Sequence, residues 1–262
     1  MFGWFKKKKS SGASFPQVAP PPLVPAGPMD EAALEKRMRR SCAPLVFRKP
    51  ASIDPFETMF GAVRLAQRGE AWPECNGVPM WPLCQINLKA APMVPKGLSD
   101  LALLTIFISP ETSRAPTQII DTSDPDAGAT WALRSYPLLS GLTIPQAPDH
   151  KSTLSARGGE WGAVTPDYPN HDNAGAVIDT LANDVYAFEW ARGVYQTKLG
   201  GWPSTVQSEP WWDYTKSDDT WDYVLQIENE PKAGWHGWGD GCAFIARSRE
   251  RPHMWAIDVQ FT

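Results

Sequence analysis

WPLCQINL (81–88) and YVLQIENE (223–230) decide how this chain is read. Each is an apolar run rich in residues that suit a strand, and each ends on the same dipeptide, Gln85-Ile86 and Gln226-Ile227. Their surroundings match as well. Upstream stands a Trp-Pro pair preceded by glycine (Trp72-Pro73 and Trp202-Pro203), then further tryptophan. Downstream, GLSD ends in Asp100 and GWGD ends in Asp240, fifteen and fourteen residues after the glutamines. Each is followed by a strand-like segment with a phenylalanine, LALLTIFIS with Phe107 and GCAFIARS with Phe244. Five features in one order imply an internal duplication, with halves at about 44–135 and 196–262 packed over a shared core. In that reading both glutamines are structural: a strand-end amide satisfies loop backbone groups that turn inward.

Composition supports short elements. The chain has 262 residues, 42% of them hydrophobic and 21% charged, with 13 Trp and 26 Pro. That length holds one large domain with ample core. Proline at this density works against long helices, and tryptophan supplies large rings that anchor short strands and loops. The expected class is therefore α+β, mainly antiparallel β, with two duplicated halves and a few short helices.

Strands are expected at 44–48, 82–88, 101–109, 117–121, 129–135, 222–228, 242–247 and 253–261. MFGAVRLAQ (59–67) fits a strand or a helix equally. MDEAALEKRMRRS (29–41) reads as a helix with acids in its first turn, Arg in its last, and Ala33, Leu34 and Met38 as its apolar stripe. A second helix is expected over 174–192 on the spacing of Ile178, Leu181, Val185 and Phe188, ended by Gly193. Residues 140–173 are polar and rich in Pro, Gly and Asp, the composition of a long surface excursion.

Charge separates the amino terminus from the body. MFGWFKKKKSS (1–11) carries four lysines, and residues 1–28 hold no acid. Taking those four from the 25 basic residues leaves 21 against 29 acids, a net −8 for the body. An acidic body lacks the clustered Lys/Arg of a nucleic-acid binder. The apolar tip is too short for a signal peptide's core, and its charges follow instead of preceding it. Two readings stay open for the tip. It is a solvated tail, or Phe2, Trp4 and Phe5 with Lys6, Lys7, Lys8 and Lys9 make weak contact with an anionic membrane. The proline-rich stretch that follows makes residues 1–28 a disordered tip and linker, and residues 29–262 a single domain.

Chemistry-bearing patterns are sparse. Cys42, Cys75, Cys84 and Cys242 lack CxxC spacing and a nearby His pair, so no metal is implied; buried reduced thiols and a cytoplasmic location fit better. DTSDPDAG (121–128) lacks the glycine and the glutamate of a calcium loop, and reads as a solvated acidic turn. In GWGDGC (237–242), Gly239 and Gly241 are expected at positive φ in a tight turn, because a strand follows where a phosphate loop needs a helix. The histidines (His150, His171, His236, His253) are scattered. His236, beside Trp235, Trp238 and Asp240, is the candidate for acid–base work, but no nucleophile accompanies it. The tryptophans Trp202, Trp211, Trp212, Trp235 and Trp238 pack as loop cover or form an exposed binding surface. EPWWDY (209–214) lies in a polar, Pro-flanked loop, where at least partial exposure is expected.

KLGGWPSTVQ (198–207), VLQIENE (224–230) and GWGDGCAFIAR (237–247) together resemble the YwqG-like family, a bacterial domain family of unknown function. The resemblance spans roughly 44–262 and is strongest from 198 onward; RLAQRGEAWP (64–73) departs from the Gly-Gly form in the first half. It implies an α+β fold dominated by antiparallel sheet and supplies no catalytic residue.

The expected function is that of a non-enzymatic interaction or accessory protein, immunity-like or secretion-associated, presenting its Trp-rich loops to an unknown protein partner, with no cofactor. The alternatives are an enzyme or small-ligand binder with a pocket between the halves near His236 and Asp240, and a membrane-peripheral scaffold.

Overall fold

The computed structural model describes residues 31–110, 117–124, 130–149, 152–170, 190, 192–214, 219–237, 239 and 241–261. The expected helix at 174–192 and the amino-terminal tip therefore lie outside the described residues. Helix α1 (Glu31–Met38) opens on Glu31 and closes with Lys36 and Arg37, complementing its dipole. Leu34 and Met38 are buried, whereas Ala33 is exposed. The helix stops three residues short of the expected end because Arg40 already enters a strand.

Fourteen strands follow: β1 (Arg40–Pro50), β2 (Met59–Phe60), β3 (Glu74–Cys75), β4 (Val78–Pro79), β5 (Trp81–Asn87), β6 (Leu103–Ile108), β7 (Gln118–Asp121), β8 (Trp131–Tyr136), β9 (Arg157–Trp161), β10 (Thr165–Asp167), β11 (Lys198–Gly200), β12 (Trp221–Glu228), β13 (Cys242–Ser248) and β14 (Met254–Gln260). A single turn, α2 (Trp211–Tyr214), precedes β12, and two 3₁₀ turns lie at Lys96–Leu98 and Pro231–Ala233. All strands but the small β3–β4 hairpin join one antiparallel sheet in the order β7-β14-β13-β12-β11-β1-β9-β2-β5-β6-β8, with β10 paired to β1. The sheet curls into a nearly closed barrel whose last strands, β7 and β8, come within 8 Å of each other (Cα–Cα).

The excursion expected at 140–173 is corrected. It contains β9 and β10, and β9 is central, pairing with β1 on one side and β2 on the other. Its sequence, RGGEW, hides the strand because Gly158 and Gly159 sit where neighbours leave no room. A Cβ at Gly159 would stand 2.9 Å from Leu45 Cδ1 and 3.1 Å from Thr58 O.

The opening sequence pair takes matching ladder positions on opposite sides of the β1–β9 pair. Met59 faces Gln85 across β2–β5, and Lys198 faces Gln226 across β11–β12. Both long strands carry an irregularity just before the glutamine, between Pro82 and Cys84 and between Tyr223 and Leu225. Thr58 Oγ1 accepts the Asn87 N–H and Thr197 Oγ1 accepts the Glu228 N–H, each at 3.0 Å. Gly61 and Gly200 both turn the chain at positive φ. The phenylalanines do not correspond, since Gln85 faces Thr105 whereas Gln226 faces Phe244.

Both amides do the work expected of them. Gln85 Oε1 accepts the N–H groups of Arg64 and Leu65 (2.9 and 3.0 Å), while Nε2 donates to the carbonyls of Pro55 and Glu57 (2.8 and 2.9 Å). Gln226 Oε1 accepts the Ser204 N–H (2.9 Å), and Nε2 donates to Gln196 O (3.4 Å) and Glu228 Oε1 (2.5 Å). Gln260 performs a third such task that the sequence did not reveal, accepting the N–H groups of Val206 and Gln207.

One main core fills the barrel. Leu104, Ile106 and Ile108 of β6 meet Ala243 and Ile245 of β13 and Trp255 of β14 inside the barrel. The outer faces are covered too. Trp72, Val63 and Met80 lie over Phe107, and Trp211, Trp212 and Trp221 pack with Phe244 and Ala246. Coverage on both faces explains why β6 and β13 read as unbroken apolar runs instead of alternating ones.

Candidate functional site

The predicted tryptophans do not form one surface. Trp202 is buried at the end of α1, its indole N–H donating to Met38 O (2.7 Å) and its ring 3.3 Å below the Arg40 guanidinium carbon. Trp211 and Trp212 cover the outer face of β13 and β14. Trp212 is buried and Trp211 half-buried, with an indole N–H to Ile257 O at 3.2 Å. Their rings meet edge to face at 5.8 Å. The partial exposure expected for EPWWDY holds at Trp211, whereas Trp212 is buried, because a one-turn helix lays the pair against the sheet. Trp235 is buried in the barrel core, and His236 after it is exposed. Trp238 and Asp240 lie outside the described residues. Gly239 has the expected positive φ of 59°, but Gly241 does not; it is required because a Cβ there would stand 1.8 Å from Gln260 O.

A buried polar cluster marks the second half. Lys198 and Asp167 are both fully enclosed, Nζ to Oδ2 2.8 Å, and Nζ also donates to Val194 O (2.7 Å) and Ser204 Oγ (3.0 Å). Asp167 further accepts the N–H groups of Val194 and Trp202, each at 2.7 Å. The residue that faces Gln85 as Lys198 faces Gln226 is the apolar Met59. With every donor and acceptor of the pair engaged and no solvent access, Lys198 acts as a tie between β10, β11 and their loops.

Thiol chemistry is suppressed. Burial, helped by the nearby Asp167 carboxylate, pushes the Cys42 thiol up to about 11, and burial raises Cys84 and Cys242 well above the ordinary thiol range. All four cysteines are free and buried. A nucleophilic or metal-binding cysteine needs thiolate, which these three environments disfavour. Among the described residues no group of His, Cys, Asp and Glu is arranged to hold a metal ion.

Two of the concavities among the described residues bear on function. One, of about 330 Å³, lies between β1 and the end of β12, and its walls include Arg48, Tyr195, Glu228, Glu230 and Lys232. Burial raises the carboxyls of Glu228 and Glu230 above the usual range. The isolated bridge between Glu230 and Trp235 anchors the turn that leads to His236, although His236 itself does not line this groove.

The larger, about 680 Å³, is the open seam of the barrel. Ile120, Asp121 and Thr122 of the β7 side face Trp131, Ala132, Leu133 and Arg134 of β8, and the loop Glu70–Glu74 forms the roof. Consecutive residues line each wall, so the strand edges themselves form it. The Ser109 N–H bonds to Thr130 O (2.8 Å), and the Thr122 N–H bonds to His253 O (3.0 Å). Antiparallel alternation then directs the backbone N–H and C=O of Leu133 and Ser135 on β8, and of Ile119 on β7, into the seam. Among the described residues no further strand pairs with these edges. The roof is held by Arg134, 3.2 Å from Glu70, and by the Tyr136 hydroxyl donating to Glu70 (2.8 Å). Trp72, its N–H on Met80 O (2.8 Å), stands against Phe107 at 5.1 Å. Sequence reading missed this site because neither edge carries a motif.

A family model described as a domain of unknown function (DUF1963) matches residues 59–249, from β2 through β13. No curated protein matches the chain.

Proposed function

The chain belongs to the DUF1963 family, a domain of unknown function, and we propose that it is a non-enzymatic interaction protein that accepts an extended segment of a protein partner along the β7–β8 seam. The observation that carries this reading is the break in the sheet between β7 and β8: among the described residues neither strand has a second strand partner, and the two edges border a roofed cleft. Addition of a strand to an exposed edge is a recurrent way for domains to bind peptides, since the backbone supplies the hydrogen bonds. The partner-facing surface is thereby moved from the Trp-rich loops to the seam. The matching ladders around Gln85 and Gln226 support an internal duplication behind this architecture, and the motifs from Lys198 onward support a YwqG-like protein of bacterial origin. The buried free thiols suit a cytoplasmic setting, with the lysine-rich tip as a loose membrane contact; co-sedimentation of the full chain with anionic vesicles, against a Lys6–Lys9→Gln version, tests that part.

The test is amide hydrogen exchange of the full chain titrated with eight-residue peptides of alternating valine and polar residues. Protection of the Leu133 and Ser135 amides is expected, and Leu133→Pro, which removes an outward N–H without touching the β6 side, should abolish it. If no such peptide changes exchange at β7 or β8, the reading fails.

A second reading, a small-ligand binder or enzyme, rests on the paired Glu228 and Glu230 carboxyls in the 330 Å³ groove. NMR titration with a panel of small amines checks it. Shifts confined to this groove and lost in Glu228→Gln favour it, and their absence rejects it.

A further inference from the structure

We propose that the segment accepted by the seam is the carboxy-terminal tail of the partner, docked antiparallel to both edges at once; this rests on the strand-docking reading above. Strand polarity carries the inference. Among the described residues the sheet has 12 strands, and with β10 off the path eleven run from β7 to β8, each antiparallel to the one before. An odd number of alternating strands leaves the two end strands pointing the same way, so β7 and β8 are parallel. They are joined through residues 122–130, a shorter connection than the dozen or more residues that parallel neighbours take. Direct pairing of the two edges is thereby disfavoured. One strand inserted between them and running opposite to both completes an all-antiparallel ring, which requires an even number of strands. Its bonds on both sides are then of the antiparallel kind, slightly more stable per residue than parallel ones.

The shape of the seam decides which end of the segment leads. At the amino ends of β7 and β8 the Thr130 hydroxyl donates to Gln118 Oε1 at 3.0 Å, tying the two edges together. Toward the carboxyl ends the cleft of about 680 Å³ lies between residues 120–122 and 131–134. A strand antiparallel to both edges therefore enters from their carboxyl ends and carries its own carboxyl end toward the Gln118–Thr130 tie. A chain that continued would have to break that tie, so the segment ends there. Gln118 Nε2, on the same amide, is a donor at that end for the terminal carboxylate. The 6 residues of β8 set the length at about 20 Å, a tail of roughly six residues.

NMR with nitroxide-labelled peptides tests the direction. Eight-residue peptides in which valine alternates with threonine carry the label on the first or the last side chain and are added to the full chain. The label on the first residue should broaden the amides of Thr122 and Tyr136 more than that of Thr130, and the label on the last residue should do the reverse. A second arm joins the same peptide to a folded carrier protein. Fusion through the amino end should bind within about twofold of the free peptide, and fusion through the carboxyl end about tenfold more weakly, because the pairs nearest the tie are lost. Reversed broadening, or equal binding of the two fusions, overturns the carboxy-tail inference while leaving strand docking intact. If neither labelled peptide broadens any amide of β7 or β8, the docking reading itself falls.

Discussion

Replacing Lys198 by methionine tests whether the enclosed ion pair organises the second half. Methionine occupies the corresponding ladder position, Met59, so the change fits by size and conformation. What it removes is the cation facing Asp167, whose side chain is fully enclosed. Asp167 would keep its two backbone N–H donors from Val194 and Trp202 but remain charged and unpaired. Stranding one member of a buried pair costs about 3–5 kcal/mol, a large share of the roughly 5–15 kcal/mol that holds a domain together. No discount for solvent screening applies, because both partners are inaccessible. Adding Asp167→Asn removes the stranded charge. The new amide nitrogen cannot accept, so one of the two backbone N–H groups loses its acceptor, at about 1–3 kcal/mol. The double variant should therefore be more stable than Lys198→Met alone, by about 2 kcal/mol. Urea denaturation of the wild type, both single variants and the double variant closes the cycle. A single variant costing under about 1 kcal/mol, or a double variant whose loss equals the sum of the singles, would refute the argument.

Gln85→Leu strands two N–H and two C=O groups and should cost about 4 kcal/mol, read by the same denaturation; a loss below about 1 kcal/mol removes its structural role. Glu228 has its folded carboxyl raised by burial, so its charged form opposes folding at neutral pH. Glu228→Gln should accordingly be the more stable at pH 7, the difference vanishing as pH falls below the unfolded value of about 4.3; a constant difference across that window contradicts the burial argument. Asp100 behaves oppositely. Its hydrogen bonds to Arg247 hold it below the usual range, so its contribution is present above about pH 3.9 and lost as pH falls further. Asp100→Asn should lower stability at pH 7 only modestly, because the carboxylate is more than half exposed, and the gap should close in acid. Gly241→Ala should cost about 3 kcal/mol, measured as a fall in midpoint, since the clash is with backbone.

The sequence by itself determined the local matters. Apolar runs bounded by turn residues fixed the strands from β5 through β8 and from β12 through β14 to within a few residues. The repeated Gln-Ile identified two amides whose hydrogen bonds close loops, because a strand-end glutamine and its adjacent loop are encoded within about thirty residues of one another. Composition also gave the class, since proline and tryptophan leave little room for long helices. Tertiary structure decided the rest. β9 is a strand because β1 and β2, more than a hundred and nearly a hundred residues earlier, pair with it, and its glycines reflect their crowding instead of a loop. Trp211 and Trp212 are covered because β13 and β14 offer an outer face that a polar local sequence does not announce. Lys198 looks like any exposed lysine until Asp167 is brought to it from β10. The open seam is the clearest case. Which strand edges stay unpaired depends on the closure of the whole sheet, and hydrophobic periodicity carries information about faces, not about which edge meets which.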